Sequence, residues 1–187
     1  MRKTAALIAL SVAALLGGCA AGPELSGATI QATFAEGLKE YDSGNYEVAY
    51  KTWSSIDEVD LAAMRNLGTM LRTGKGVQKN PKAAEAMLKR AADAGLFTAQ
   101  ADLGDMLFKG EAGPPDPKAA APWLAMAAQA GHPMAQYELG QLYEQGIGVR
   151  KDIEAARTLY KAAAAGGVAD AANRLATLPP EPPAPGH

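Results

Sequence analysis

The sequence is poor in the residues that build metal centres and disulfide frameworks. It has one cysteine and two histidines among 187 residues. A single cysteine excludes an intrachain disulfide framework and a multi-cysteine zinc site, and two histidines leave little material for a metal centre. The 18 Lys plus Arg nearly balance the 20 Asp plus Glu, so the chain lacks the basic stripe that nucleic-acid binding needs. The sequence therefore predicts no metal, no cofactor and no nucleic-acid partner.

Signatures of catalysis are missing as well. The chain contains no GxSxG, SxxK, GxxxxGK(S/T) or HExxH pattern. Gly74-Lys75-Gly76 lacks the strand that precedes a phosphate loop, and His132 beside Pro133 is interpreted as a turn residue because no Ser or Cys nucleophile accompanies it. Carboxylates that could pair across neighbouring units occur at Asp102, Asp105, Glu138 and Glu144. Solvated helix faces produce such pairs routinely, so we expect a protein that is not an enzyme.

The N-terminal apolar run is too short to span a bilayer, which takes about 20 residues. This run, Ala5 to Leu16, follows a positive segment and is typical of a secretory signal peptide, here residues 1–18. The next residues, Leu16-Gly17-Gly18-Cys19, resemble the lipobox of bacterial lipoproteins. The resemblance implies cleavage before Cys19 and acylation of its sulfur. An ordinary secretory signal with an incidental cysteine is the alternative.

The lipobox also has consequences for location. Lipoproteins of this kind carry several acyl chains, which anchor stably where one chain alone is marginal. Ala20 stands where an Asp favours retention at the inner membrane, so the resemblance implies a protein of the bacterial cell envelope, anchored in the outer membrane and facing the periplasm. Residues 19–30 are expected to form the lipidated cysteine and a flexible tether. The five prolines within 179–187 predict an extended tail.

Alanine is abundant, with 41 residues, and it recurs within a repeat of 36 residues. Alanine favours helices that pack closely. The repeated Leu-Gly pair lies at Leu67, Gly68, Leu103, Gly104, Leu139 and Gly140. Leu is expected to fill the gap between two helices of a unit, and Gly to let the partner backbone approach. A fixed period of this length predicts a solenoid with units at 61–96, 97–132 and 133–167.

Each unit is predicted to form two helices. In the third unit, positions 135, 139, 142 and 143 share one helical face, glycines at 146 and 148 break the helix, and Asp152 caps the next one. The first unit has helices near Leu61 to Arg72 and Pro81 to Ala94, while the second departs in its turn, GEAGPPDP. Residues 168–178 are expected to form a last helix that covers the exposed end.

These residues resemble the Sel-one-like repeat, a relative of the tetratricopeptide repeat. The third unit, AQYELGQLYEQGIGVRKDIEAARTLYKAAAAGG, matches the family pattern nearly throughout. The first unit has Leu71 in place of an aromatic residue, and the second lacks Gly-Val in its turn. Residues 31–60 look like a tetratricopeptide-type pair through Tyr41, Gly44, Tyr46, Ala49 and Trp53. The resemblance implies an all-α, right-handed superhelical solenoid of helix pairs.

The resemblance also implies that the first helix of each pair lines a concave groove. The groove positions lie two residues before the repeated Leu, and two and five after it: Arg65, Thr69, Arg72, Ala101, Asp105, Phe108, Tyr137, Gln141 and Glu144. Phe108 and Tyr137 are candidate contacts because aromatic residues dominate interface hot spots, although Phe108 equally fits packing on the next unit. We expect a monomeric scaffold that binds a protein or peptide in this groove.

Two other functions remain open at this point. The chain could be an accessory of cell-wall or exopolysaccharide assembly that binds a glycan through the same surface. It could also be a peptidoglycan- or β-lactam-directed hydrolase, as suggested for cysteine-rich relatives of the repeat family. Those relatives have disulfides in every unit, whereas this chain has no cysteine after Cys19.

Overall fold

Residues 25–180 form nine α helices and no strand. The computed structural model describes these residues, with helices α1 (Gly27–Asp42), α2 (Tyr46–Ser54), α3 (Leu61–Thr73), α4 (Pro81–Asp93), α5 (Phe97–Lys109), α6 (Pro117–Gln129), α7 (Pro133–Gln145), α8 (Ile153–Ala165) and α9 (Ala169–Thr177). The all-α fold class is confirmed. The predicted signal peptide, Cys19, most of the tether and the tail beyond Pro180 lie outside the described residues.

The period of 36 residues reappears in the residues that begin and end the helices. We call α3, α5 and α7 the A helices and α4, α6 and α8 the B helices. Each B helix is capped by a side-chain oxygen that accepts a backbone N–H bond three residues on, at 3.1, 2.9 and 3.0 Å for Asn80, Asp116 and Asp152. Such a cap stabilises a helix by about 1 kcal/mol. Each A helix ends at a left-handed glycine, Gly74, Gly110 or Gly146.

The first helix begins earlier than the sequence indicates. The composition predicts a tether up to residue 30, whereas α1 starts at Gly27. Ser26 accounts for the difference, since its Oγ accepts a hydrogen bond from the backbone N–H of Thr29 at 3.2 Å and so caps the helix. The added turn brings Ile30 close to the apolar cluster around Trp53.

The core is a row of apolar clusters, each of which joins consecutive helix pairs. The first is built on Trp53 of α2 together with Leu67 and Met70 of α3. The next joins α3 and α4 to α5, the third joins α5 and α6 to α7, and the last is built on Tyr160 of α8 with Ala171 of α9. Each unit therefore buries its faces on its sequence neighbours, as expected for a solenoid.

The Leu-Gly glycines make room for a side chain of the facing B helix. A Cβ added to Gly68 would lie 2.9 Å from Cγ of Leu88, and one added to Gly104 would lie 2.7 Å from Cγ of Leu124. At Gly140 the ring of Tyr160 would be 2.7 Å away. The sequence prediction named the partner backbone as the group that approaches, whereas the structure puts a large side chain there.

The second repeat differs from its neighbours in the turn between its helices. In the first and third repeats, the turn packs against the preceding helix pair at Gly76 and Gly148. A Cβ added to Gly76 would lie 2.3 Å from the carbonyl carbon of Tyr46, and one added to Gly148 would lie 2.6 Å from that of Pro117. Ala112 holds the equivalent position in the second repeat. A cleft of about 640 Å³ lies between this turn and Lys82 and Glu85 of α4.

Candidate interaction surface

The predicted groove residues lie on one face of the A helices, which we call the A-helix face. All eight non-alanine members are half-buried, and Ala101 is buried. Helices α5 and α7 also pack directly on each other, and no comparable contact joins consecutive B helices within residues 25–180. Between the second and third repeats, the A-helix face is therefore the inner side of the stacked units.

The two arginines of the first repeat reach across to carboxylates of the second. Arg65 Nε donates to Oδ2 of Asp102 at 2.5 Å. Arg72 binds Glu111 through two nitrogens, with Nε donating to Oε2 at 2.7 Å, and its Nη2 also contacts Asp105. A planar guanidinium suits this forked geometry, which a lysine could not reproduce. The sequence analysis placed both arginines among the residues that bind a partner. In the structure they instead form ion pairs between the first and second repeats, which we call the bridges.

These bridges shift the ionisation of the groups that form them. The hydrogen bonds and charges of Glu111 and Asp105 raise the pKa of Arg72 despite its partial burial. The hydrogen bond with Arg72 lowers the pKa of Glu111. Burial alone would raise the pKa of Asp105, but hydrogen bonds with Glu138, Lys109 and Arg72 hold that pKa below its ordinary value. The bridge thus remains charged at neutral pH.

A small cavity opens on the A-helix face between α5 and α7. This α5–α7 cavity, of about 130 Å³, is lined by Asp102, Asp105, Lys109, His132, Met134 and Glu138 among others. Burial, together with the hydrogen bond to Asp105, raises the pKa of Glu138 to about 9. Glu138 is therefore a neutral acid at pH 7, and it hydrogen-bonds to the charged carboxylate of Asp105. His132 caps α7 through Nδ1, and burial lowers the pKa of its ring.

The α7 part of the A-helix face contacts helices α8 and α9 through polar side chains. Tyr160 of α8 donates its hydroxyl to Oε2 of Glu144 at 2.6 Å, and Arg174 of α9 lies 3.7 Å from the same carboxylate. Gln141 Nε2 donates to the hydroxyl of Tyr137 at 3.2 Å, and the Tyr137 and Tyr160 rings are 5.7 Å apart. Burial and the bond to Glu144 raise the pKa of Tyr160.

Two further groove residues contact their own solenoid. Phe108 packs against the cluster formed by α5, α6 and α7, which is the alternative that its sequence position left open. Thr69 donates its hydroxyl to the carbonyl of Arg65 at 3.1 Å, one turn earlier on α3. Of the groove set, the structure therefore brings Arg72 and Asp105 together, and separately Tyr137, Gln141 and Glu144.

The predicted groove positions did not include the residue immediately before the repeated Leu. Asp102 and Glu138 occupy this position in the second and third repeats, and both line the α5–α7 cavity. The sequence could have identified this position, because a polar residue recurs there every 36 residues, directly before a buried Leu. These residues are Asn66, Asp102 and Glu138. Within residues 25–180, no three acidic, His or Cys side chains converge in a way that could hold a metal ion.

No helix in residues 25–180 combines the length and the apolar character that crossing a bilayer requires.

Comparison with known proteins identifies the repeats. The model of the Sel1 repeat matches residues 61–96, 98–132 and 133–168. No curated protein matches the chain. Among solved structures, the chain is similar to a Sel1 repeat protein from Oxalobacter formigenes, at 35% identity and a TM-score of 0.70 over 76% of this chain and 58% of that one.

Two other solved structures have the same architecture. A protective antigen of uropathogenic Escherichia coli with an SLR fold is 28% identical, with a TM-score of 0.73 over 78% of this chain and 32% of that one. An immunity protein from Pseudomonas aeruginosa is 26% identical, with a TM-score of 0.55 over 82% and 59%. The chain thus spans well under two thirds of the length of each of these proteins.

The family assignment follows from both comparisons. The three matched repeats cover more than half of the chain, and the solved neighbours share its stacked helix pairs. Proteins built from this repeat are in general interaction scaffolds without enzymatic activity. With three repeats stacked between a leading helix pair and a closing helix, the chain belongs to the Sel1 repeat family.

Proposed function

We propose that this protein is a lipid-anchored, periplasm-facing scaffold that binds a protein or peptide on its A-helix face. The bridges between repeats are the observation that supports this proposal. They hold the charged side chains of α3 and α5 in fixed positions, so a partner would meet a surface that is already ordered. Binding to a pre-organised surface avoids part of the entropy cost of ordering side chains.

Site-specific photocrosslinking in intact cells tests the binding surface. A photoreactive residue is placed at Gln141 or Thr69 on the A-helix face, with matched positions at Lys118 and Glu154 on exposed parts of B helices. A partner bound to the A-helix face gives a discrete crosslinked band from the first two positions and none from the second two. Equal crosslinking from both sides, or from the B helices alone, contradicts the proposal.

The anchor rests on the sequence Leu16-Gly17-Gly18-Cys19. Cys19→Ser is expected to move the protein from the membrane fraction to the soluble fraction, and globomycin is expected to cause accumulation of the precursor. Ala20→Asp is expected to shift the protein toward the inner-membrane fraction without loss of lipid. A Cys19→Ser variant that remains in the membrane, or a precursor unaffected by globomycin, contradicts lipidation at this residue.

The scaffold is proposed to act as a monomer. Multi-angle light scattering of the Cys19→Ser variant measures this directly, and the expected mass is that of one chain. A concentration-independent dimer contradicts this part of the proposal.

A further inference from the structure

The α5–α7 cavity contains a buried acid without a basic partner. Glu138 is only 5% exposed, and no Lys or Arg nitrogen within residues 25–180 makes an ion pair with it. Its hydrogen bond goes to another carboxyl group, Asp105, which is a poor substitute for a cation. Buried carboxyl groups usually have a counter-charge or lose their own charge. Glu138 therefore stays neutral in this cavity because no cation is close enough to form an ion pair with it, and it could ionise only if one were supplied.

Lys109 shows which chemistry the floor accepts. Its ammonium group forms an ion pair with Oδ1 of Asp105, a buried atom that accepts no hydrogen bond of ordinary geometry. The Lys109 side chain is 53% exposed and reaches the carboxylate from the rim, one helical turn away on α5. An ammonium group already fits at this end of the cavity, and a long exposed side chain can move aside at small cost.

The cavity also has an apolar part. Met134 lines it and is exposed, and the exposed ring of Phe97 lies edge-on to His132 with 6.5 Å between ring centroids. A lysine or arginine side chain has an apolar stem and a cationic end, and it buries the stem along such surfaces. The apolar side chain of Met134 and the acidic groups of Asp105 and Glu138 match the two parts of such a side chain.

From these observations we propose that the α5–α7 cavity binds a lysine or arginine side chain of the partner protein, with its stem on Met134 and its cationic end between Asp105 and Glu138. This inference rests on the proposed scaffold function and names the partner chemistry at one site on the same face. The cation supplies the positive counter-charge that an ionised Glu138 needs, so Glu138 releases its proton to solvent when the cation binds.

The surroundings of Glu138 favour this exchange. The charged groups that act on it are Asp105 and Lys109 of α5 and Arg72 of α3, while Asp102 and His132 line the same cavity. Helix α6 carries one charged residue, Lys118 in its first turn. On α8, Glu154 pairs with Arg157, Tyr160 donates to Glu144, and Lys161 is exposed. A proton released on binding is therefore assigned to Glu138.

The test is a titration of the full chain in detergent with a short probe peptide. Acetyl-Ala-Ala-Lys-Ala-Ala-amide is added, and backbone amide shifts are followed by NMR at pH 7 and pH 8. The neutral analogue with Gln in place of Lys is the peptide control. Expected is saturable binding with shifts confined to α5 and α7, at an affinity at least tenfold above that of the Gln peptide. Because one proton is released, affinity should rise by up to about tenfold from pH 7 to pH 8.

Two variants separate the acid from its surroundings. Glu138→Gln retains the size and the hydrogen-bonding capacity of the neutral acid, and it should reduce Lys-peptide affinity to that of the Gln peptide and remove the pH dependence. Glu47→Gln on the exposed surface of α2 is the charge-matched control and should change neither. If Glu138→Gln loses helicity, the comparison of the two peptides on the wild-type chain still decides the question.

The outcomes also distinguish this inference from the scaffold function. Shifts outside α5 and α7, equal affinity for the Lys and Gln peptides, or binding that does not depend on pH would overturn the inference. If A-helix-face crosslinks nevertheless appear in cells, the scaffold function stands without it. If those crosslinks are absent, the scaffold function itself fails.

Discussion

Glu138 and Asp105 face each other across the junction of the second and third repeats and share a hydrogen bond between two carboxyl groups. Burial raises the pKa of Glu138 from 4.5 to about 9. Between these values the folded protein holds a proton that the unfolded chain releases. The contribution of protonated Glu138 to the free energy of unfolding is complete below pH 4.5. It falls as the pH rises and is lost once the pH passes about 9.

Glu138→Gln should therefore stabilise the protein increasingly as pH rises. The amide can donate to Asp105 without any cost of ionisation, so we expect the gain in the free energy of unfolding to grow between pH 5 and pH 8 by up to roughly 1.4 kcal/mol per pH unit. Urea unfolding at pH 5 and pH 8 measures this gain, with Glu47→Gln as the surface control. A gain that is the same at both pH values would contradict the raised pKa of Glu138.

Arg72→Ala should destabilise the protein more than Arg65→Ala. The Arg72 side chain is 17% exposed and serves two carboxylates, whereas Arg65 is 34% exposed and serves one. Removing Arg72 leaves Glu111 without its cation and Asp105 with Lys109 alone, at a cost of about 2–3 kcal/mol against about 1 for Arg65. Arg72→Lys should fall between, since it keeps the charge and loses the fork. Chemical denaturation ranks the three variants, and equal losses for both arginines would refute the bridge.

Gly104→Ala tests the close contact between an A helix and its B helix. The new methyl group would lie 2.7 Å from Leu124, and we expect a loss of about 1–3 kcal/mol despite the better helix propensity of alanine. Adding Leu124→Val should restore part of the loss. Gly27→Ala, where nothing lies within 4 Å, is the control and should be neutral or mildly stabilising. Thermal melts compare these proteins, and a neutral Gly104→Ala would disprove the contact.

Gly76→Ala and Gly44→Ala separate backbone strain from contact. Both glycines have positive φ, 67° and 81°, so alanine costs about 1–2 kcal/mol at either position. Only Gly76 lies against backbone, with Tyr46 C at 2.3 Å from an added Cβ, while Gly44 faces open space. We expect Gly76→Ala to cost clearly more than Gly44→Ala in the free energy of unfolding. Similar losses would mean that the turn does not rest on α2.

Much of the fold could be predicted because it depends on local chemistry that recurs. Asp152 was identified as a cap, and Gly146 as a helix end, since each signal needs only a few neighbouring residues. The start of α1 was wrong by a few residues because Ser26 caps it within a stretch of small residues. The period of 36 residues was enough to predict stacked helix pairs, because this prediction needs no interatomic distances.

The chemistry of the A-helix face could be predicted only in part. A helical face can be read from spacing, but the lateral offset between helices of successive repeats cannot. This offset decides that Arg72 meets Asp105 and Glu111 of the next repeat and that Phe108 packs inward. The sequence did indicate carboxylates able to pair across units, and Asp105 with Glu138 is such a pair. The burial that keeps Glu138 neutral depends on packing in three dimensions.

The bridges between the first two repeats make the order of the units matter. Arg65 and Arg72 find their carboxylates only because the second repeat follows them; the equivalents of these arginines in the second repeat are Ala101 and Phe108. A tandem copy of the first repeat would set both arginines against Asn66 and Thr69. A tandem copy of the second would set Asp102 and Asp105 against Ala101 and Phe108. The modules are alike in backbone and cannot be permuted or duplicated without losing these pairings.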